Sequence, residues 1–269
     1  MTARARKPRV TKTDTANKNV KVVFDNVQNM IDYIKDTPEG NNSRKTRPEF
    51  VKHSWDETLE MLQTGWGEGI KEVDIKASQI IDTLKQDDKI TYNFDVTGEF
   101  IDIGLYVTGT PECFLQSESI QTDKPVKKIV INLTASYKVD QESITNRGAV
   151  IMALLDAYYN QYFIDLSFVL KTENCQGYNI EMIYNVNLNQ GYDRDMIAFI
   201  ACNPSMLRRV YFAVCEKITG FNHCGGYGNC QEVTVEDGLY FPCMYGNDGY
   251  ISIKDSAETL QKYMNQFNQ

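Results

Sequence analysis

The chain has 269 residues, of which 42% are hydrophobic, and carries a formal net charge of −8. This length and composition suffice to bury a sizeable core, and no apolar run approaches the ~20 residues of a membrane span. The basic N-terminus lacks the apolar segment of a secretory signal. Seven scattered cysteines, an odd number, disfavour a disulfide framework and favour reduced thiols. We therefore expect a cytoplasmic protein without membrane association.

Charge is distributed very unevenly along the chain. Residues 1–21 hold seven basic residues and one acidic residue, about +6, which leaves −8 − 6 = −14 for the remainder. A segment with so many basic residues and so few apolar ones cannot fold alone, because it buries too little apolar surface to offset the entropy lost on ordering. We predict a flexible, disordered basic arm at 1–21, whose deletion leaves the core intact, and a single α+β domain at 22–269. Such arms often bind polyanions, although a leader that only aids solubility would look the same.

The first part of the chain after the arm is predicted to be mainly helical. Val27, Ile31 and Ile34 share one helical face, and Ser54 followed by Glu57 is a capping box. Between these helices, a stretch rich in Pro, Gly, Asn and basic residues predicts an irregular loop beside a binding surface. The predicted elements are a helix at 24–35 capped by Asp25, the loop at 37–52, helices at 54–62 and 68–86, and strands at 90–96, 100–106 and 113–115.

The second part of the chain contains both strands and helices without a regular βαβ alternation, which favours an α+β fold with a mixed, mainly antiparallel sheet packed with several helices. Its strongest strand contains Val126, Ile129 and Ile131 among other β-formers. The Asn203-Pro204 dipeptide separates two helices. The predicted elements are strands at 126–136, 163–171 and 178–188, helices at 145–159, 193–201 and 205–217, a glycine-rich loop, and a helix at 256–267.

One cluster resembles a metal site in composition. His223, Cys224, Cys230 and Cys243 would suit zinc, but their spacing is unlike a zinc knuckle, and a loop with free thiols explains them more simply. Two histidines in the whole chain, and no Ser in a nucleophile elbow, leave no evident catalytic group. We expect no catalytic residue, no metal and no cofactor.

A carboxylate-rich turn offers the alternative of an enzyme. Asp95, Glu99, Asp102 and Glu112 lie close in sequence and could hold a divalent cation for phosphoryl chemistry. Ordinary turn and capping chemistry is the favoured explanation of such residues. A metal-dependent enzyme acting on nucleic acid or nucleotides through Asp95, Asp102 and Glu112 therefore stays open as a less favoured reading.

Arginines near the starts of two helices indicate phosphate recognition. Arg147, Arg208 and Arg209 carry planar, multi-donor groups that bind phosphate and stack on bases, although pairing with carboxylates of the acidic body is equally plausible. Tyrosines are expected to stack on bases, and Trp55 and Trp66 to anchor helix packing. The predicted nucleic-acid-binding residues are Arg4, Arg6, Lys7, Arg9, Lys12, Arg44, Lys45, Arg47, Lys52, Arg147, Arg208 and Arg209.

Several short signatures resemble a phage-encoded conserved protein family. The resemblance runs from about residue 43 to 217. A remote branch is similar to the Drc-type cofactors of phages with a giant virion RNA polymerase, which bind single-stranded DNA and help a small phage RNA polymerase begin transcription. The matching residues are Ser43-Arg44 with Phe50, Ser54-Trp55-Asp56-Glu57, Gly65-Trp66-Gly67-Glu68-Gly69, segments 95–98, 102–106 and 109–113, Arg147-Gly148-Ala149, segment 196–199 and Asn203-Pro204-Ser205-Met206-Leu207-Arg208-Arg209.

This resemblance implies a sequence-tolerant, single-stranded-DNA-binding protein without catalysis, acting as a phage RNA polymerase cofactor in the host cytoplasm. Its expected partners are single-stranded DNA and the phage RNA polymerase, and a homo-oligomer would add avidity. An acidic total charge does not exclude binding, because a local basic groove with stacking aromatics suffices. The alternative is a non-enzymatic adaptor whose acidic body docks the polymerase.

Overall fold

A computed structural model describes residues 9–14, 18–47, 50–85, 94–95, 100–101, 114–115, 125–174, 176–188, 193–220 and 227–268. The described strands are β1 (Arg9–Asp14), β2 (Asn19–Phe24), β3 (Phe94–Asp95), β4 (Phe100–Ile101), β5 (Phe114–Leu115), β6 (Val126–Asn132), β7 (Phe163–Glu173), β8 (Asn179–Asn187), β9 (Asn229–Cys230) and β10 (Leu239–Phe241). The α-helices are α1 (Val27–Ile34), α2 (Asn42–Lys45), α3 (Trp55–Thr64), α4 (Gly69–Lys85), α5 (Gln141–Tyr158), α6 (Arg194–Cys202), α7 (Phe212–Thr219) and α8 (Ile253–Phe267), and a π-helical segment (Met206–Tyr211) leads into α7.

A mixed sheet forms the centre of the fold. Its strand order is β1-β2-β8-β7-β6-β10, with β9 also paired to β7, and a small separate sheet has the order β3-β5-β4. In the central sheet, three of the described pairings are antiparallel and three are parallel, and the small sheet adds two antiparallel pairings. The predicted α+β class with a mixed sheet packed with several helices is therefore confirmed, and the antiparallel pairings of the two sheets together outnumber the parallel ones.

One face of the sheet is covered by helices. In β7, alternate residues from Ile164 through Leu166 and Phe168 to Leu170 are buried, which is the period-two pattern of a strand with one face in the core. Helix α5 packs against α4, α6 and α8. It approaches α6 closely at Gly148, where an added Cβ would lie 2.2 Å from the Cys202 sulfur.

Helix boundaries follow the caps. The capping box of Ser54 and Glu57 is confirmed at the start of α3. Helix α5 begins four residues before the predicted start, because the Asp140 side chain accepts a hydrogen bond from the Ser143 N–H. Similarly, α1 is capped by Asn26, not by Asp25.

Part of the predicted arm belongs to the sheet. β1 pairs with β2, and β2 pairs in parallel with β8, so the predicted boundary at residue 21 falls inside β2. This segment does not need to fold alone, since an existing sheet edge supplies hydrogen bonds and Val20 and Val22 are buried in the core. Deleting 1–21 would thus remove sheet structure. Residues 1–8, with Arg4, Arg6 and Lys7, lie outside the described part of the chain, while Arg9 and Lys12 lie in β1.

Candidate nucleic-acid interface

Arg208 is a buried residue that joins two loops. Its side chain lies in the π-helical segment and is 6% exposed. One terminal nitrogen donates to the Phe50 carbonyl at 2.8 Å, and the other donates to the Val139 carbonyl at 3.1 Å. Its guanidinium also lies 5.2 Å from the centre of the Phe50 ring. Arg208 therefore holds the loop around Phe50 next to the turn that precedes α5.

Arg209 fastens the same loop at several points. Its Nε donates to the His53 carbonyl at 2.8 Å, and its Nη1 donates to the carbonyls of Ser43 at 3.0 Å and Arg44 at 2.9 Å. Burial lowers the pKa of Arg209, but an arginine titrates so far above neutrality that the charge is kept. One buried guanidinium thus fixes both ends of the loop.

These positions correct the predicted role of three arginines. Arg147 is 3% exposed and donates to the carbonyls of Asn132 at 2.9 Å and Pro242 at 2.7 Å. A buried charge must be hydrogen-bonded to be tolerated, and Arg147, Arg208 and Arg209 meet that need with backbone carbonyls. Because their N–H donors are engaged inside the fold, these three arginines are not phosphate contacts. Their role is to hold backbone segments in position.

Glu216 holds the start of the loop from the other side. Its buried carboxylate accepts hydrogen bonds from the Ser43 N–H at 3.0 Å and the Asn41 side chain at 3.0 Å, and also from the Ser43 hydroxyl. The Tyr227 hydroxyl donates to the same carboxylate at 2.6 Å. Burial, together with this bond, raises the pKa of Tyr227. The four donors explain why the predicted irregular stretch contains the short helix α2.

The loop fixed in this way, which we call the basic loop (residues 41–53), displays cations outward. Lys45, Arg47 and Lys52 are exposed. Arg44 is half-buried, lying 5.3 Å from the Trp55 ring centre and donating to the Thr37 carbonyl. The loop holds four basic residues and one acidic residue in sequence, so its charge is 4 − 1 = +3.

Exposed aromatic rings accompany these cations. Phe50 is 39% exposed and Tyr137 is 79% exposed. The ammonium of Lys138 lies 5.9 Å from the centre of the Tyr137 ring, and Arg208 ties the two loops together through Phe50 and Val139. Cations interleaved with aromatic faces are the groups that bind single-stranded nucleic acid. We call this set the loop surface: Lys45, Arg47, Phe50, Lys52, Tyr137 and Lys138.

A cleft adjoins the loop surface, where the basic loop meets α4 and α5. Its volume is about 390 Å³, within the range of ligand-binding pockets. The half-buried rings of His53 and Trp66 are arranged edge to face, with centroids 6.2 Å apart. The residues lining the cleft are Lys52, His53, Trp66, Glu72, Lys76, Gln141, Glu142, Thr145, Asn203 and Pro204.

The helix-free face of the sheet has a second cleft of about 520 Å³, bordered by residues 233–236. Charges there are mixed, since Lys21 lies 3.7 Å from Glu181 and Glu236 is nearby. This face lacks the positive excess of the basic loop, so it is the weaker candidate for contact with a polyanion.

The two metal hypotheses fall mostly outside the described residues. His223, Cys224, Glu99, Asp102 and Glu112 lie there. No group of three or more His, Cys, Asp and Glu suited to a metal occurs within the described ranges. Of the four predicted zinc ligands, Cys230 and Cys243 are described, and both are free thiols.

Sequence reasoning found the exposed cations of the basic loop and expected tyrosines to stack on bases, but it did not single out Phe50 or Tyr137. Phe50 is an apolar residue inside an irregular basic stretch, and Tyr137-Lys138 follows directly after a strand. Both signals are visible in the sequence. The contact between the two segments is not visible there, because it depends on the buried side chain of Arg208.

Taken together, the fold and this surface define an α+β protein with a basic, aromatic loop held by buried arginines. Within the described residues, no helix is both long and apolar enough to cross a membrane. The chain matches the family described as "Domain of unknown function (DUF7192)" over residues 7–267, and it belongs to that family. Comparison of the chain with curated proteins and with solved structures found no match.

Proposed function

We propose that this protein binds single-stranded DNA through the loop surface, without a chemical step of its own, and serves as a cofactor of a phage RNA polymerase. The observation that carries the DNA-binding part is the combination of exposed Arg47 and Lys52 with the exposed rings of Phe50 and Tyr137. The polymerase part rests on the resemblance to the Drc-type cofactors.

Electrostatics favour contact at this surface. The chain carries −8 overall, so most of its surface repels a polyanion, while the basic loop carries +3. A local positive patch on an acidic protein directs a charged strand to one place and raises the association rate. Loops held by buried hydrogen bonds keep the cations in place before binding, which reduces the ordering entropy lost on association.

The exposed rings favour single strands over duplex. Unpaired bases can stack on Phe50 and Tyr137, whereas paired bases in a duplex present only their edges. Stacking needs no particular base, because every base has a π-face. We therefore expect sequence-tolerant binding.

Salt-dependent binding of a labelled oligothymidylate tests this proposal. Each phosphate contact contributes about 0.7 to the slope of log affinity against log salt for single strands. The double variant Arg47→Ala/Lys52→Ala should therefore show a slope shallower by about 1.4. The matched control, Lys128→Ala/Lys262→Ala, removes two exposed cations elsewhere and should keep the wild-type slope.

Two results would contradict the proposal. One is equal or stronger affinity for a duplex of the same length. The other is an identical loss of slope in the loop variant and in the Lys128/Lys262 control, because general charge alone would then account for binding.

A non-enzymatic adaptor is the second candidate, favoured by the −14 that remains outside residues 1–21. An acidic body would attract a basic face of the polymerase. Co-purification of the tagged protein with the phage polymerase, with and without nuclease, separates the two functions. A complex that survives nuclease indicates direct protein contact, and one that is lost indicates a DNA bridge.

A further inference from the structure

The geometry points to a second role for the cleft beside the basic loop: we infer that it takes one unpaired nucleobase of the bound strand, while the phosphates lie on the loop surface. This inference rests on the proposed function. In this arrangement the base of a nucleotide enters the cleft and its phosphate contacts the loop surface.

Trp66 provides a rigid aromatic wall. Its backbone N–H donates to the Asp195 carbonyl at 3.2 Å, and its carbonyl accepts from the Ile70 N–H at 2.9 Å. The ring lies directly over Gly69, where any Cβ would be 1.8 Å from it. The indole is therefore fixed before a ligand arrives, and a base that stacks on it does not have to order it.

The charge inside the cleft suits a neutral ring better than a phosphate. The Lys76 ammonium is already engaged, at 2.7 Å from the Asn146 side-chain oxygen, 3.7 Å from a Glu142 oxygen and 3.9 Å from a Glu72 oxygen. The two carboxylates balance Lys76 and Lys52, so the cleft has no net positive charge. A phosphate would be repelled by the carboxylates, whereas an uncharged base would not.

The wall of the cleft contains both polar and apolar side chains. Gln141, Thr145 and Asn203 line it together with the apolar Pro204. The Asn203 side-chain oxygen accepts a hydrogen bond from the Ser205 N–H at 2.9 Å, and the Thr145 hydroxyl donates to the Gln141 carbonyl at 3.0 Å, so these groups hold the shape of the wall. A mixed apolar and polar lining of this kind is typical of small-ligand sites.

The cleft and the loop surface are continuous. Lys52 belongs to both, and His53 follows it at the cleft wall. On the other side, Gln141 lies three residues after Lys138. A single DNA strand whose phosphates contact Arg47, Lys52 and Lys138 therefore passes the mouth of the cleft, where one of its bases can enter.

Tryptophan fluorescence tests the inference directly. The chain has two tryptophans. Trp55 is 5% exposed and covered by Arg44, so the half-buried Trp66 is the one that a base can reach. Oligothymidylate should quench the emission of the wild-type protein, and an abasic oligonucleotide of the same length, which keeps the phosphates, should not.

Two variants support the assignment. Trp66→Phe keeps an aromatic face, so it should still bind the strand but lose the quench. Trp66→Leu should weaken binding by about 5- to 150-fold, the range that corresponds to the loss of one base–aromatic stack. Circular dichroism checks that both variants are folded.

The outcomes separate the inference from the proposed function. Strand binding measured by anisotropy, with quenching that requires both bases and Trp66, supports the inference. Strand binding with unchanged tryptophan emission overturns it and leaves the proposed function standing. Absence of strand binding by anisotropy overturns the proposed function, and the inference with it.

Discussion

Replacing Arg209 with lysine separates a positioning role from a phosphate contact, because the substitution keeps the charge and removes the planar fork. Arg209 donates three hydrogen bonds of 2.8–3.0 Å to loop carbonyls. A compact ammonium can retain about one of them. Two lost bonds from a charged donor, at about 1.5–3 kcal/mol each, lower the free energy of unfolding by about 3–6 kcal/mol. With an unfolding entropy of about 2.1 cal/mol/K per residue, that corresponds to a melting temperature lower by about 5–11 °C for a chain of this size.

Differential scanning calorimetry measures this change, and Arg47→Lys is the control. Arg47 is an exposed arginine of the same loop, so its variant should stay within about 0.5 kcal/mol of the wild type. The salt slope of DNA binding provides the second readout. An Arg209→Lys protein with wild-type thermal stability would refute the positioning role that we assign to Arg209, and retention of DNA binding through charge alone would then favour phosphate contact.

Three further predictions follow from the contacts described above. Deleting residues 1–8, which removes three cations, should make the salt slope shallower by up to about 2. Deleting 1–21 should also lower the melting temperature in a thermal melt, because it removes β1 and part of β2. Glu216→Gln should destabilise the protein by about 2 kcal/mol in urea titration, because the new amide nitrogen would face donors instead of accepting from them. Equal stability would contradict the role of Glu216 in holding the start of the basic loop. In native protein at mildly alkaline pH, alkylation followed by peptide mass spectrometry should modify Cys230 before Cys202 and Cys215. The reason is that a hydrogen bond with Cys243 lowers the pKa of Cys230, while burial raises the pKa of Cys215 to about 12. Labelling of Cys215 before Cys230 would contradict this order and would show that the core opens.

Local sequence patterns predicted several of the described elements, because these depend on near neighbours, whereas most residues of the predicted strands at 90–96, 100–106 and 113–115 lie outside the described part of the chain. The capping box at Ser54 and Glu57 fixed the start of α3, and the β-formers around Ile129 correctly indicated β6. The start of a helix is harder to predict where two neighbouring residues can both serve as the N-cap, as Asp25 and Asn26 can before α1. The exposed cations of the basic loop were also recognisable, since a run of Pro, Gly and Asn disfavours burial.

Pairing between strands that are far apart in the sequence could not be predicted from local patterns. β2 joins β8 although about 160 residues separate Asn19 from Asn179, so a segment that cannot fold alone was predicted to be a tail. The arginines illustrate the same limit. Carboxylates were the expected structural partners of Arg208 and Arg209, but their partners are backbone carbonyls that the tertiary fold brings within reach.

Photo-crosslinking with a halogenated single-stranded oligonucleotide, followed by peptide mapping, tests the central claim most directly, because it reports where a strand lies. If the loop surface binds DNA, adducts should concentrate at Phe50 and Tyr137, with Trp66 modified where a base enters the cleft. Adducts confined to the helix-free face of the sheet, around Val169 and Ile183, would contradict the account.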